Sequence, residues 1–303
     1  MKIGITERGD AGINLSWVSK VNTVDGMVLI TKNLTEMFCL QVLNLYSKGY
    51  KIIVHCTCTG YGGSELEPNV PDYKTQLNHL AYLIDMGFPA ENCVLRIDPI
   101  FPSEKGLNKV KEVMQYFMSL NTGVTRIRVS IVDEYKHVKE RYRQRGWNPL
   151  YGDNFGPSSS QVHAVACLLQ NYPYVFETCA EKGLTLYSDK CIIQGCISNR
   201  DLEIMGIPAE AMSINPQNRN GCHCLSCKTE LLTERKQRPN GCIYCFWRGF
   251  ICYILVHLMI LIVISMMKYG LLFVLLRICH LVIIFIMFHN YLHHQIYFTL
   301  IYL

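Results

Sequence analysis

Short runs of β-forming residues alternate with helical patterns through the first 190 residues. Several runs are almost continuously apolar, which is typical of strands buried on both faces of a parallel sheet. The predicted strands are Lys2–Thr6, Met27–Thr31, Lys51–Thr59, Cys93–Pro99, Arg126–Asp133, Tyr174–Glu181 and, with a weaker pattern, Leu184–Ser188. Between them, Asp72 and Ser103 are predicted to cap helices that have one apolar face, and a third helix is predicted after Ser158–Ser160. Helix ends are predicted at Gly49, Gly87, Gly146 and Gly183.

Repeated βα units allow two α/β architectures, an open doubly wound sheet or a TIM-like full or partial barrel. The barrel is favoured because six or seven units follow one another, and no Gly-x-Gly-x-x-Gly motif indicates a dinucleotide-binding fold. We predict three parts: a TIM-like body over residues 1–190, a cysteine-rich cluster-binding segment over 191–249 and a hydrophobic tail over 250–303.

Polar side chains stand at the carboxyl ends of the predicted strands, where functional groups gather in both architectures. Arg96, Asp98, Asp133 and Glu181 are the candidates for contact with a substrate or cofactor. Helix capping and mutual ion pairing are the alternative explanation for each of them. The complete set is Thr6, Glu7, Arg8, Lys32, Thr57, Thr59, Tyr61, Arg96, Asp98, Ser130, Asp133, Cys179 and Glu181.

A glycine-rich stretch, Thr57–Gly63, follows a predicted strand. Backbone amides in such loops bind phosphate or carboxylate groups, so Thr59, Gly60 and Tyr61 are candidate cofactor-binding residues. No Lys-Ser/Thr pair follows to make this a P-loop, and a simple turn is the alternative interpretation.

A basic stretch, Lys136–Arg145, has aromatic residues nearby. It resembles a helix that follows a phosphate backbone, but a solvated helix face is the more frequent explanation of such a run. The net charge of +5 is too small to indicate nucleic acid by itself. We therefore do not expect nucleic acid to be a partner.

Fifteen cysteines form the most specific chemical signal. The N-terminus lacks the apolar stretch of a secretory signal, and a reducing compartment favours metal binding or catalysis over disulfides. Cys224/Cys227 and Cys242/Cys245 are Cys-x-x-Cys pairs, and two such turns build a four-thiolate zinc site. Cys222 is a further candidate ligand.

An iron–sulfur cluster is the second interpretation of these cysteines, because its ligands are also closely spaced thiolates. Aromatic residues flank Cys242 and Cys245, and apolar rings beside a cluster shield it from water. A third interpretation treats the cysteines as small buried apolar residues. Seven cysteines between Cys191 and Cys245 argue against that view.

Over residues 1–249 the sequence resembles the bacterial family called domain of unknown function 1848. The stretches that carry the resemblance are Thr59–Gly62, Glu67–Asp72, Leu95–Ile100, Val129–Asp133, Thr178–Glu181 and Gly241–Cys245. The resemblance identifies a group of proteins and leaves the reaction open.

The resemblance implies that the C-terminal cysteines are similar to the Cys-x-x-x-Cys-x-x-Cys motif of radical S-adenosylmethionine enzymes. In those enzymes the motif holds a 4Fe–4S cluster that binds S-adenosylmethionine, and Tyr244 occupies the aromatic position before the last cysteine. Arg238 stands where the motif has its first cysteine. A third ligand must then come from Cys222, Cys224, Cys227 or further upstream.

The hydrophobic tail begins at Phe250, and Phe250–Met267 contains no Asp, Glu, Lys or Arg. It is long enough to span a membrane, with the preceding domain in the cytoplasm. Membrane helices use Gly and Ala at their packing faces, whereas residues 250–303 contain no alanine. Out-of-frame translation is therefore the alternative origin of this segment.

The sequence thus predicts a cytoplasmic iron–sulfur protein, and more specifically a radical S-adenosylmethionine-like enzyme with an electron donor and an unidentified small or macromolecular substrate. The alternative is a zinc-stabilised binding module without catalytic activity, with nucleic acid as one ligand class. A membrane is expected as a partner if residues 250–303 are a true anchor.

Overall fold

The computed structural model describes residues 1–209, 213–214, 222–233 and 239–247. Within them, eight strands form one sheet in the order β7-β6-β5-β4-β3-β2-β1-β8, and every neighbouring pair is parallel. The strands are β1 Ile3–Ile5, β2 Gly26–Thr31, β3 Ile52–Thr57, β4 Cys93–Ile100, β5 Arg126–Ile131, β6 Phe176–Thr178, β7 Cys191–Ile193 and β8 Lys228–Glu230. The predicted α/β class with a parallel sheet is confirmed.

The sheet is not closed, because β7 and β8 are its two edges in the described part of the chain. Contacts outside the strands bridge this gap. The Leu225 amide donates to the Ile197 carbonyl at 3.0 Å. Gly195 lies so close to His223 that a Cβ at Gly195 would stand 2.3 Å from the His223 carbonyl oxygen. Loop contacts thus take the place of a β7–β8 ladder, and the closed form of the predicted barrel is not observed.

Seven α-helices and two 3-10 helices are described, and the predicted caps are present. Asp72, Ser103 and Ser158 each accept hydrogen bonds from backbone amides in the first turn of a helix. The helices are α1 Glu36–Ser47, α2 Tyr73–Asp85, α3 Glu104–Ser119, α4 Lys136–Arg143, α5 Ser159–Gln170, α6 Lys182–Tyr187 and α7 Asn199–Ile204, with 3-10 helices at Leu15–Thr23 and Ala90–Asn92.

Both faces of the sheet are buried, as the nearly continuous apolar runs predict. Successive residues of β2 show the alternation: Met27 and Leu29 belong to the core under helices α1, α2, α3 and α5, whereas Val28 and Ile30 face the opposite core. The opposite core is completed by the segment around α7 and by Cys224–Cys227. Helix α7, its neighbours and Cys224–Cys227 are therefore packed against the face of the sheet opposite helices α1, α2, α3 and α5, and we call this face the inner face.

The predicted strand Leu184–Ser188 is wrong, since these residues lie in and just after helix α6. The position beside β6 is taken by β7, which pairs with it in register from Phe176↔Cys191 onward. The helix end predicted at Gly183 is also wrong. A Cβ at Gly183 would lie 3.1 Å from Val162, so the glycine lets α6 approach α5 closely.

Residues Met1–Arg248 form one compact unit, and the segment 191–249 contributes β7, α7 and β8 to its sheet and core. No helix in the described part of the chain is long and apolar enough to cross a membrane. The tail predicted as an anchor or an out-of-frame product, residues 250–303, lies outside the described residues, as does Arg238.

The cap of α2 gives a direct test of the fold. Asp72 accepts hydrogen bonds from the Lys74 and Thr75 amides, so Asp72→Ala should lower the free energy of unfolding by about 1 kcal/mol. Asp85→Ala removes the same charge at the other end of α2 and should not destabilise the protein. Denaturant unfolding of both variants measures the difference, and equal losses would contradict the capping role.

Candidate metal centre

A cavity of about 710 Å³ opens at the carboxyl ends of the strands. Its size is typical of small-molecule sites. Its charged lining residues lie on strands or shortly after them: Glu7, Arg8, Asp10, Lys32, Arg96, Asp98, Arg128, Asp133 and Lys228. Cysteines line it as well: Cys179, Cys196, Cys222, Cys224, Cys242 and Cys245.

Three of these thiols form a compact group, which we call the thiol triad. The Sγ atoms of Cys179, Cys196 and Cys224 all lie within 4.8 Å of one another. Cys179 follows the last residue of β6, Cys196 comes shortly after β7, and Cys224 shortly precedes β8. Cys196 and Cys224 are buried and Cys179 is half-buried. The triad is close enough to bind one metal ion.

The triad stabilises one thiolate even without a metal. Hydrogen bonds from Cys179 and Cys196 lower the pKa of Cys224 to about 4, in spite of burial. The Cys196 amide also donates to the Cys224 sulfur at 3.2 Å. The pKa of Cys179 is raised, first by its hydrogen bond with Cys196 and then by that with Cys224. Since thiolates are the metal-binding form, Cys224 is the prepared ligand of the triad.

Two buried carboxylates hold the segment 239–247 over the cavity. Asn240 donates to Asp10 at 2.7 Å, and the Tyr244 hydroxyl donates to Glu67. Glu67 also binds Lys32 at 2.7 Å and the Thr59 hydroxyl at 2.6 Å. Cys242 and Cys245, which flank Tyr244, are thereby brought to the cavity wall.

The ionised form of Glu67 is favoured by its partners. Burial alone would raise its pKa, but the charge of Lys32 and the hydrogen bonds of Lys32, Thr59 and Tyr244 lower the pKa below the ordinary glutamate value. Tyr244 in turn packs edge-on against Phe101, with ring centroids 5.4 Å apart. Glu67 is therefore the charged anchor of the segment 239–247.

Arg96 and Asp98 form an ion pair on the cavity wall. The Arg96 Nε donates to Asp98 at 2.6 Å, and the Ser130 hydroxyl also donates to Asp98. Burial disfavours the charged form of Asp98, but Arg96 and Ser130 lower its pKa. Both side chains are partly exposed to the cavity, at 16% and 23%, so a ligand can reach the pair.

A second ion pair, Glu7 with Lys228, lies beside the triad. Burial, followed by the charge of Cys196, raises the pKa of Glu7 to about 7 in spite of Lys228. Glu7 thus exchanges a proton near neutral pH, which suits a general acid or base.

A family model described as Domain of unknown function (DUF1848) matches residues 13–247. This match covers more than half of the chain and includes all three cysteines of the triad. The chain belongs to the DUF1848 family. No curated protein matches this DUF1848 protein.

The structure places the five predicted metal ligands of this DUF1848 protein in three environments. Cys224 is in the triad, and Cys222 lines the cavity two residues away. Cys242 and Cys245 line the cavity outside the triad, and Cys227 is buried in the inner core. Metal binding by Cys222, Cys227, Cys242 and Cys245, the four residues outside the triad, stays a prediction.

Cys179 and Cys196 are not among the metal ligands named from the sequence, although Cys196 lies in the predicted cluster-binding segment 191–249. Neither belongs to a Cys-x-x-Cys pair, so ligand spacing does not mark it. The available signal was position: Cys179 belongs to the predicted strand-end set, and the family-like stretch Thr178–Glu181 contains it. Strand-end position therefore carried information that ligand spacing missed.

The remaining predicted site residues have these positions. Asp133 and Tyr244 line the cavity, whereas Glu181, Thr59, Gly60 and Tyr61 are outside its lining. Glu181 accepts a hydrogen bond from the Ile131 amide at 3.3 Å. Contact of these residues with a substrate or cofactor stays a prediction.

The basic helix of this DUF1848 protein, α4, turns two of its cations inward. Lys139 donates to the Gly152 carbonyl at 2.7 Å and also to that of Asn154, and Arg141 donates to the Cys245 carbonyl at 2.5 Å. Each of these two residues has only 5% of its surface exposed. Part of the basic run therefore stabilises loops beside the cavity.

Glu67 provides a stability test. Removing one member of a buried ion pair costs about 3–5 kcal/mol, so Glu67→Gln should strongly lower the free energy of unfolding at neutral pH. Because its folded pKa is lowered, the stabilisation is complete at neutral pH and disappears as the pH falls below about 4.3. The wild type and Glu67→Gln should therefore converge in acid.

Glu112→Gln is the matched control, because Glu112 pairs with Lys109 on the surface at 2.7 Å. That change should cost about 0–1 kcal/mol. Urea unfolding between neutral and acidic pH measures both variants. A Glu67→Gln loss no larger than that of Glu112→Gln would contradict the anchoring role.

Proposed function

We propose that this protein is an iron–sulfur enzyme whose metal centre is held by Cys179, Cys196 and Cys224. The observation that carries the proposal is the triad itself: three thiols within 4.8 Å of one another on the wall of a ligand-sized cavity. Catalytic metal sites use three protein ligands and keep one position open for substrate. A centre bound here by three thiolates would have that position available.

The residues fit an anionic thiolate-bound group. Cys224 is already stabilised as a thiolate, and Arg96 and Lys228 provide positive charge near Cys196. When bound, an iron–sulfur cluster supplies one-electron transfer, for which an electron donor is required. The cytoplasm is the proposed location, since a reducing compartment keeps these thiols available.

The protein's own groups have separate parts in this proposal. Arg96, paired with Asp98, would bind and orient a substrate carboxylate, and Glu7 would hold or release a proton at its carboxylate oxygen. Phe246 and Trp247 line the cavity and would limit water access. We further propose that the sheet is an incomplete (β/α)8 barrel, which its strand order and strand-end cavity support.

S-adenosylmethionine is the more specific co-substrate that we propose. Its support is the family resemblance of the C-terminal cysteines together with the position of Cys242, Tyr244 and Cys245 on the same cavity wall. Cys222 lines the same cavity, so it would also stand beside a co-substrate bound at the open position of the triad-held centre.

A single zinc ion is the second candidate, because the sulfur spacing is also compatible with it. Tetrahedral zinc with bonds of about 2.3 Å separates its sulfur ligands by about 3.8 Å, which is compatible with the triad. A four-iron cluster carries each thiolate on a different iron, so the three side chains would need to spread. The zinc form corresponds to a stabilised binding module.

Metal analysis of cysteine variants tests the proposal. Protein purified without oxygen should contain iron and acid-labile sulfide, and Cys179→Ser, Cys196→Ser or Cys224→Ser should each remove most of it. Cys167→Ser, a change at an exposed thiol on α5, is the control and should retain full occupancy. Zinc without sulfide would support the second candidate. Metal that is kept by the triad variants but lost in Cys242→Ser would contradict both.

A further inference from the structure

Arg128 joins strand β6 to the segment after β7, next to Cys179 and Cys196. Its Nη2 donates to Glu177 at 2.6 Å, and Glu177 stands two residues before Cys179 on β6. Its Nη1 donates to the Cys196 carbonyl at 3.2 Å. One side chain from β5 therefore binds the Glu177 carboxylate near Cys179 and the backbone carbonyl of Cys196.

These contacts of Arg128 lie beside two short strands at one edge of the sheet. Strands β6 and β7 are three residues long, and β7 is an edge of the sheet. Short edge strands contribute few ladder hydrogen bonds to position the residues that follow them. The guanidinium of Arg128, which is 98% buried with 2% exposed, supplies side-chain contacts there.

Arg128 also brings charge to the triad. The guanidinium is charged, as it always is in proteins, and its Nη1 lies 3.2 Å from the Cys196 carbonyl oxygen. Cys196 therefore has a buried cation beside it. A nearby positive charge favours thiolates over thiols, which is the form that binds metal.

Other charged groups also face the triad or Arg128. Arg96 with Asp98 extends from β4, Lys228 on β8 pairs with Glu7, and Arg126 on β5 shares Glu177 and also binds Asp201. His55 on β3 is neutral, because burial and the charges of Arg128, Arg96 and Arg126 lower its pKa.

We propose that Arg128 is a positioning residue of the metal centre: it holds Cys196 against β6 and provides positive charge beside the thiolates. This inference rests on the proposed metal centre. It adds a residue that touches no metal yet sets how tightly the metal is held. Such supporting groups commonly change metal affinity by about 10–100-fold.

The test is chelator competition on the full chain, performed with zinc and, without oxygen, with ferrous iron and sulfide over a range of pH. Arg128→Gln should weaken metal binding about 10–100-fold. It should also move the midpoint of metal retention to higher pH, because the thiols lose a neighbouring cation. Arg128→Lys keeps the charge and should recover most of the pH midpoint, although it lacks the second donor for the Cys196 carbonyl.

Arg200→Gln is the matched control. Arg200 binds the same carboxylate, Glu177, at 3.1 Å, but no contact with Cys196 is described for it. Its affinity should stay within about threefold of the wild type, well below the change expected for a supporting group. Thermal unfolding of the metal-free variants shows whether each is folded.

The outcomes separate the two proposals. A wild type that binds neither metal overturns the proposed function, and this inference with it. A wild type that binds metal while Arg128→Gln binds equally well, or while Arg200→Gln loses as much, overturns this inference alone. If Arg128→Gln does not fold, Arg128→Lys is compared with Arg126→Lys. Equal metal affinity of Arg128→Lys and Arg126→Lys would then overturn the positioning role of Arg128.

Discussion

The contact between residues 195–197 and 223–225 is the constraint on which the thiol triad depends. It joins the two edges of the sheet without strand pairing, through the Leu225 to Ile197 hydrogen bond and the close approach of Gly195 to His223. The same contact brings Cys224 to Cys196, whose amide donates to the Cys224 sulfur. A continuous ladder between β7 and β8 would close the sheet here. The open edge instead leaves thiols facing the cavity.

Two buried carboxylates position the part of the cavity wall that residues 239–247 form. Asp10 and Glu67 fix the C-terminal segment by accepting hydrogen bonds from Asn240 and Tyr244, and each is satisfied by further donors. Buried carboxylates of this kind are stable when every oxygen is paired. The aromatic and cysteine residues at 242–247 are therefore presented to the cavity by two polar anchors on the body.

The class of fold could be predicted from the sequence because its signals are local. Apolar runs gave strands β1 to β6, and Asp72 and Ser103 gave helix starts. Strand β7 could not be distinguished from the alternating pattern at Leu184–Ser188, since three residues carry little periodicity. The position of β8 beside β1 depends on long-range pairing, which no local pattern encodes.

The candidate site was predictable only in part. Of the four residues chosen by strand-end position, Arg96, Asp98 and Asp133 line the cavity and Glu181 does not, and contact with a substrate stays a prediction for all four. Cysteine spacing pointed to residues 222–245, whereas the triad joins Cys224 to two thiols that are distant in sequence. Such a group forms where the segments after β6 and β7 meet the segment before β8. Its members are therefore recognisable only when the strand order is known.

Anomalous diffraction at the iron and zinc edges, from crystals grown without oxygen, tests the central claim most directly. The account predicts that each of the sulfurs of Cys179, Cys196 and Cys224 lies within bonding distance, about 2.3 Å, of a metal peak. A peak bound only by Cys242 and Cys245, or no peak at the triad in protein that contains metal, would contradict it.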